Sequence, residues 1–257
     1  MLAYVAAYRM ARRYSRECLS PFHLSAAVES PYTTKAANLA MCFLGFSGHR
    51  GREYYARSAE LGVLGSIFDL VSDSLQFDYV AVEQFERLAR KTLHAESARI
   101  ALETLERKKV GAFEFDGLSR GVPALQIILK HLKSEKFWPN NDEVAKVGVL
   151  CQIADDLIDY GDDLAKNELN FLKHKDWPSH VTKLLNWNYE KQFSKSQYPF
   201  VLFRVFKRAK VQATKLANRG LPDVSPARSC ELASDVFPYS RTASRRIAEP
   251  AAMRRVF

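Results

Sequence analysis

Cysteine is scarce in this chain, and its four copies stand far apart. Cys18, Cys42, Cys151 and Cys230 form no CxxC pair, which argues against a zinc site or a disulfide framework. Buried thiols in a reducing compartment are expected instead, and with them a cytoplasmic location. Long apolar runs are missing as well. Nothing approaches the ~18 uncharged residues of a membrane span, so no transmembrane segment is expected. Clean period-two alternation bounded by Asn-Gly or Asp-Gly turns is absent, which disfavours a sheet. Acids are absent before Glu17, so MLAYVAAYRMARRYSREC reads as a basic amphipathic helix. The preferred reading is a first helix packed on the core, the alternatives being a transit peptide or a helix in peripheral contact with a membrane. Lysine is absent from residue 218 onward, where seven arginines and four of the ten prolines gather without helical period. Residues 218–257 are therefore expected to be an irregular or disordered tail.

What is present fits one helical domain over residues 1–217. The hydrophobic fraction of 47% supports a sizeable core, and 26% charged residues is ordinary for a globular chain. Apolar residues recur at three- and four-residue spacing over 32–46, 52–77, 79–109, 122–134, 141–166 and 187–217. Asn141, with Asp142 and Glu143 behind it, is the expected N-cap of the fifth of these helices. The fold class expected is an all-α bundle. The net charge of +9 suits a polyanionic partner, but the basic residues are scattered without a helix-turn-helix, RRM or zinc-finger pattern. Nucleic acid is not the expected partner; salt-sensitive affinity for it would reverse that.

The chain also contains an internal echo. LGVLGSIFDLVSD (Leu61–Asp73) and VGVLCQIADDLID (Val147–Asp159) match at six of thirteen positions, Asp69/Asp155 and Asp73/Asp159 among them. On a helix at ~100° per residue, Asp155, Asp159 and Asp163 fall within about 80°, with Asp156 just beyond. Asp69 and Asp73 share one arc in the same way. At ~1.5 Å per residue, Asp155 to Asp163 spans about 12 Å, room for more than one metal ion. Like charges one turn apart destabilise a helix unless cations neutralise them. Mg²⁺ takes oxygen ligands and is often shared between carboxylates and substrate phosphates. Two such helices facing each other would clamp a diphosphate; the alternative is a solvated acidic face. Calcium loops of the EF-hand type are disfavoured, because the spacing is helical and DxDxDG is absent. Gly62 and Gly148, seven residues before the first Asp of each copy, would let a ligand or a neighbouring helix approach closely.

The run CQIADDLIDYGDDLAKNELNFL (Cys151–Leu172) resembles the second aspartate-rich motif of trans-isoprenyl diphosphate synthases at Gln152, Asp155, Asp156, Asp159, Gly161 and Asp162. The first copy departs from the DDxxD of chain-elongating synthases. Its Asp69-to-Asp73 DxxxD looks more like squalene and phytoene synthases or large-terpene synthases. All belong to the class I isoprenoid synthase superfamily, and the resemblance covers about 35 residues in two blocks. It implies a helical bundle, three Mg²⁺ ions and a prenyl diphosphate substrate. By that resemblance Asp69 and Asp73 hold two metals, and Asp155, with Asp159 or Asp163, the third; Asp156 is counted with the ligands, and Asn167 or Glu168 could contribute.

The diphosphate is assigned to Arg50 and Arg52, beside His49 before the first Asp helix, and to Arg120 and Lys166. A basic surface loop, an ordinary helix start before Pro123 and an exposed lysine are the plain alternatives for these groups. Phe43, Phe46, Phe68, Phe77 and Tyr79 are candidates to line an apolar cavity, although core packing explains most of them. The expected activity is that of a terpene synthase: ionisation of the diphosphate, then cyclisation or elimination. Prenyl transfer, or a non-catalytic prenyl-diphosphate-binding or interaction subunit, stands behind it. Substrate length, product skeleton and the choice between monomer and homodimer stay open.

Overall fold

The computed structural model describes residues 2–20, 26–73, 79–109, 118–138, 140–165, 170–173 and 175–219. Among these the regular elements are helices and no strand forms, as the periodicity indicates. In chain order they are α1 (Leu2–Leu19), α2 (Ala26–Leu44), α3 (Arg52–Asp73), α4 (Tyr79–Thr92), α5 (Ala95–Lys109), α6 (Gly121–His131), α7 (Asn141–Ala165), α8 (Trp177–Asn186), α9 (Tyr189–Gln192) and α10 (Phe200–Arg219). Short 3₁₀ turns cover Leu118–Arg120, Glu135–Phe137 and Phe171–Lys173. No described helix is long and apolar enough to cross a membrane. The tail lies outside the described residues from 220 onward, as do Phe77 and Lys166 to Glu168.

α1 packs as a core helix. Tyr4, Ala7, Ala11, Ser15 and Leu19 are buried at three- and four-residue spacing. Small residues set its partners close: Ala11, Ala37, Ala40 and Ala59 form one buried cluster across α1, α2 and α3. Gly62 completes it, since a Cβ there would stand 2.3 Å from the Ala36 carbonyl oxygen. A second tight crossing joins α6 to α7, where a Cβ on Gly121 would meet the Gly148 carbonyl oxygen at 2.1 Å. Both glycines of the repeated segment thus serve helix-to-helix approach.

The helix ends follow local chemistry. Asn140, one residue earlier than expected, caps α7: its Oδ1 accepts from the Asp142 amide at 2.8 Å. Lys133, at φ 51°, takes the left-handed conformation that ends α6, and the Ser134 amide turns back to the Leu129 carbonyl at 2.8 Å. The expected helix over 79–109 breaks at Leu93 and His94, and that over 187–217 breaks ahead of Pro199. α8 was not anticipated. Pro178 sits in its first turn, where a missing N–H costs nothing.

The bundle has two unlike ends. At one lie the starts of α3 and α7 and the end of α2, closed by a cluster of aromatics. The Phe46, Trp138, Phe193, Trp187 and Phe206 rings contact one another at centroid separations of 4.7–6.4 Å. At the other end lie the last turns of α3 and α7, which carry the aspartates.

Candidate functional site

Asp69 and Asp73 occupy the last two turns of α3, and Asp155, Asp159 and Asp163 the last three turns of α7. Neither helix has a basic residue in its last turn. The C-terminal end of a helix carries the negative pole of its macrodipole, so carboxylates there are opposed twice, by one another and by the backbone. An arrangement of this kind is relieved by cations.

Asp155 is the most informative of these groups. Its side chain is open to solvent, yet burial is the largest influence on its carboxyl, which is pushed up to about 6. Water reaches the carboxylate, while the protein packed around it withdraws part of its solvation. Asp156 and, from the other helix, Asp69 push in the same direction, and Arg120 and Lys35 oppose them. Asp69 and Asp155 therefore lie within range of each other's charge. The Asp155 carboxylate accepts a hydrogen bond from the Gln152 amide at 3.2 Å. One turn deeper, Cys151 and, across from it on α2, Cys42 have their thiols pushed up by burial, Cys42 to about 12, with Asp155 adding to both. These are inert, half-buried thiols. The Phe43 and Leu39 side chains stand beside Gly65, 3.2–3.8 Å from where a Cβ would lie.

Lys35 is a residue the sequence reading missed. Its ammonium meets Asp69 Oδ2 at 2.6 Å, and its charge is felt at Asp155. A signal was available: Glu29 and Lys35 are the only charged residues of α2. Lys35 supplies the site with a cation of its own. The pair is partly exposed, so by itself it is worth no more than about 1 kcal/mol.

Asp156 belongs to a different structure. It is buried at 1% exposure, and three donors meet its carboxylate: Arg120 at 2.7 Å, the Gln152 amide at 2.7 Å and the Phe171 backbone N–H at 2.9 Å. Burial pushes its carboxyl upward against these donors. A carboxylate so occupied, on the inner side of the helix, is a structural anchor, which corrects its assignment as a metal ligand. Arg120, assigned to a diphosphate, is held in this ion pair, though its charge still reaches Asp155. Asn170, also missed, ties the anchor to the open side. Its amide donates to the Asp156 carbonyl and to Asp163 Oδ2, both at 2.8 Å, which orients Asp163.

Arg50 and Arg52 stand elsewhere. Arg50 precedes α3 and Arg52 begins it, whereas Asp69 lies 17 residues beyond Arg52, roughly 25 Å at ~1.5 Å per residue. Arg50 donates instead to Gln197 Oε1 at 2.7 Å. These two arginines cannot grip a diphosphate held by Asp69, which corrects that assignment. The Asp73 side chain and Lys166 lie outside what the structure describes.

Among the described residues, no three Asp, Glu, His or Cys side chains converge on one point. An ion between the helices would take one or two carboxylates from each and complete its shell with water or the oxygens of a ligand, the usual habit of Mg²⁺. The donor set fits that role: hard oxygen donors, unfavourably placed at two helix ends, with Asp155 strained in its ionised form. Comparison with protein-family models, with curated proteins and with solved structures found no match.

Proposed function

We propose that this chain is a Mg²⁺-dependent class I terpene synthase, which ionises a prenyl diphosphate and lets the carbocation cyclise or lose a proton. The observation that carries the reading is that Asp69, near the end of α3, and Asp155, near the end of α7, lie within range of each other's charge. Asp69 and Asp73 from one side, and Asp155 with Asp159 or Asp163 from the other, would hold the ions. Bound there, Mg²⁺ supplies Lewis-acid neutralisation of the departing diphosphate. Lys35 lies where its ammonium can pass from Asp69 to a diphosphate oxygen. The apolar groups nearby, Cys42, Cys151 and Phe43, would keep water from a cation. Asn170 and the Arg120–Asp156 pair hold the acid-bearing end of α7 in place.

The spacing of Asp69 and Asp73 also suits condensation of two prenyl units, so product analysis is part of the test. Geranyl, farnesyl and geranylgeranyl diphosphate are each incubated with the protein, with and without Mg²⁺. Release of diphosphate that depends on Mg²⁺ and falls about a hundred-fold or more in Asp155→Ala is expected. Cyclic or olefinic products support the terpene synthase; coupled chains support prenyl transfer. Binding without release leaves a prenyl-diphosphate-binding subunit. If no substrate releases diphosphate, and Asp155→Ala changes neither binding nor the thermal response to Mg²⁺, the enzyme reading fails.

A further inference from the structure

The end of the bundle away from the aspartates carries a surface with no part in the chemistry above. The large exposed apolar residues among the described ones are Leu2 at 86%, Phe200 at 52%, Val211 at 49% and Val5 at 40%. Single exposed apolar side chains are ordinary, but three of these gather at one corner. Leu2 and Val5 begin α1 and Phe200 begins α10. Tyr4 joins the two starts: its hydroxyl bonds the Tyr198 carbonyl and accepts from the Val201 amide at 3.3 Å, and its ring lies 6.5 Å from that of Phe200. The start of α3 completes the corner through the Tyr55–Tyr198 hydroxyl pair at 3.1 Å and the Arg50–Gln197 bond.

Positive charge predominates around this apolar tip, with Glu53 beside it and Glu17 paired to Arg13 further along α1. On α1, Leu2, Val5, Arg9, Arg13 and Arg16 are all exposed and share one face of the helix. On α10, Arg204 lies one turn from Phe200, its guanidinium 5.9 Å from that ring, and the helix contains no acid. Arg50 and Arg52, too far from Asp69 for its chemistry, are exposed at this end. Glu53 is an acid beside them, and the arginines outnumber it.

We propose that this corner docks on the surface of an anionic phospholipid bilayer. Leu2, Val5 and Phe200 enter the headgroup boundary, and Arg9, Arg50 and Arg204 meet the lipid phosphates, as basic amphipathic surfaces do. The charge pattern and the apolar tip together select this occupant. A second copy of the chain would bring the same arginines face to face across a two-fold axis. A nucleic acid would satisfy the arginines but offers no apolar phase for Leu2 and Phe200. Docking in this orientation turns the aspartate-bearing end away from the anionic surface, which would otherwise repel it.

The test is sedimentation of the full chain with vesicles. With phosphatidylglycerol and phosphatidylcholine in equal parts the protein sediments at low salt, and with phosphatidylcholine alone binding is about ten-fold weaker or more. Two independent variants should each lose binding by a similar factor: Leu2→Glu with Phe200→Glu, which removes the tip, and Arg9→Glu with Arg204→Glu, which reverses the charge. Lys146→Glu with Lys183→Glu makes the same change in net charge at the groove between α7 and α8 and should bind as the wild type does. The proposal is overturned if the wild type ignores anionic vesicles, if either corner variant binds normally, if the groove variant loses as much, or if the protein prefers single-stranded RNA to the vesicles.

Discussion

Two adjacent aspartates in α7 illustrate how neighbours in sequence acquire opposite roles. Asp156 points inward, at 1% exposure, to Arg120, Gln152 and the Phe171 amide. Asp155 is open to solvent, with one amide for company. Removing a partner from a buried ion pair costs about 3–5 kcal/mol, and Arg120 keeps some water, so Asp156→Ala should destabilise the fold by about 3 kcal/mol in urea melts. Asp155→Asn should do the reverse in metal-free protein at neutral pH: it relieves a carboxylate that burial, Asp156 and Asp69 all oppose, and Tm should rise. A fall in Tm on that substitution would show Asp155 to be a second anchor. The same group sets a pH dependence. Its carboxyl is raised when folded, so its contribution to stability is present below the ordinary carboxylate range and is lost as pH rises through about 6. A cation favours the ionised form and competes with the proton. The Mg²⁺-induced rise in Tm should therefore be larger at about pH 7.5 than at about pH 5, and absent in Asp155→Asn. Equal shifts at both pH values would mean that Mg²⁺ binds elsewhere.

At the scale of elements, the crossings of α2 with α3 and of α6 with α7 depend on missing side chains. A Cβ on Gly148 would stand 2.7 Å from the Gly121 carbonyl oxygen and 2.8 Å from Val122 Cα, backbone atoms that cannot step aside. Gly148→Ala should cost about 1–3 kcal/mol through overpacking, despite better helix propensity. It should also loosen Arg120 from Asp156, since Arg120 leads directly into α6. Gly65 is the contrast. A Cβ there meets the tip of Leu39 at 3.2 Å, which can shift, and Phe43 at an ordinary 3.7 Å, so Gly65→Ala should lie within about 1 kcal/mol of the parent. If both variants melt alike, close approach is not what the glycines provide. These elements also mark what was legible in the sequence. α3 and α7 could be placed because apolar residues recur along their length and each begins after a turn-forming stretch. The break between α4 and α5 could not, because Leu93 and His94 are unmarked by glycine or proline and Leu93 turns into the core. Asp69 and Asp155 were found because helical spacing projects directly onto a face. Lys35, Asn170 and the true place of Arg50 were not, because each depends on which helices lie side by side and on the length of α3.

The whole molecule is polarised along its helices. Acids gather at the far ends of α3 and α7, arginines at the starts of α3 and α10 and along the middle and end of α1, and an aromatic cluster closes the second end. The net charge of +9 is therefore a poor guide to either end. It averages an acidic end and an arginine-rich corner, and this is why composition alone pointed to a polyanion without saying where. Polarity of this kind predicts a response confined to one end. Mg²⁺ with inorganic diphosphate removes the repulsion among Asp69, Asp155 and their neighbours, and binding to the folded form alone suppresses local opening of the segments it touches. Hydrogen exchange should slow in the last turns of α3 and α7 and around Asn170, whose amide spans Asp156 and Asp163. The starts of α1 and α10 should exchange at their original rate. Mg²⁺ alone should give weaker protection of the same segments, and diphosphate alone none, because the aspartates repel it without a cation between them. Protection spread evenly through the bundle, or centred on Arg50 and Arg204, would place the diphosphate at the basic end and remove the paired aspartates from the chemistry.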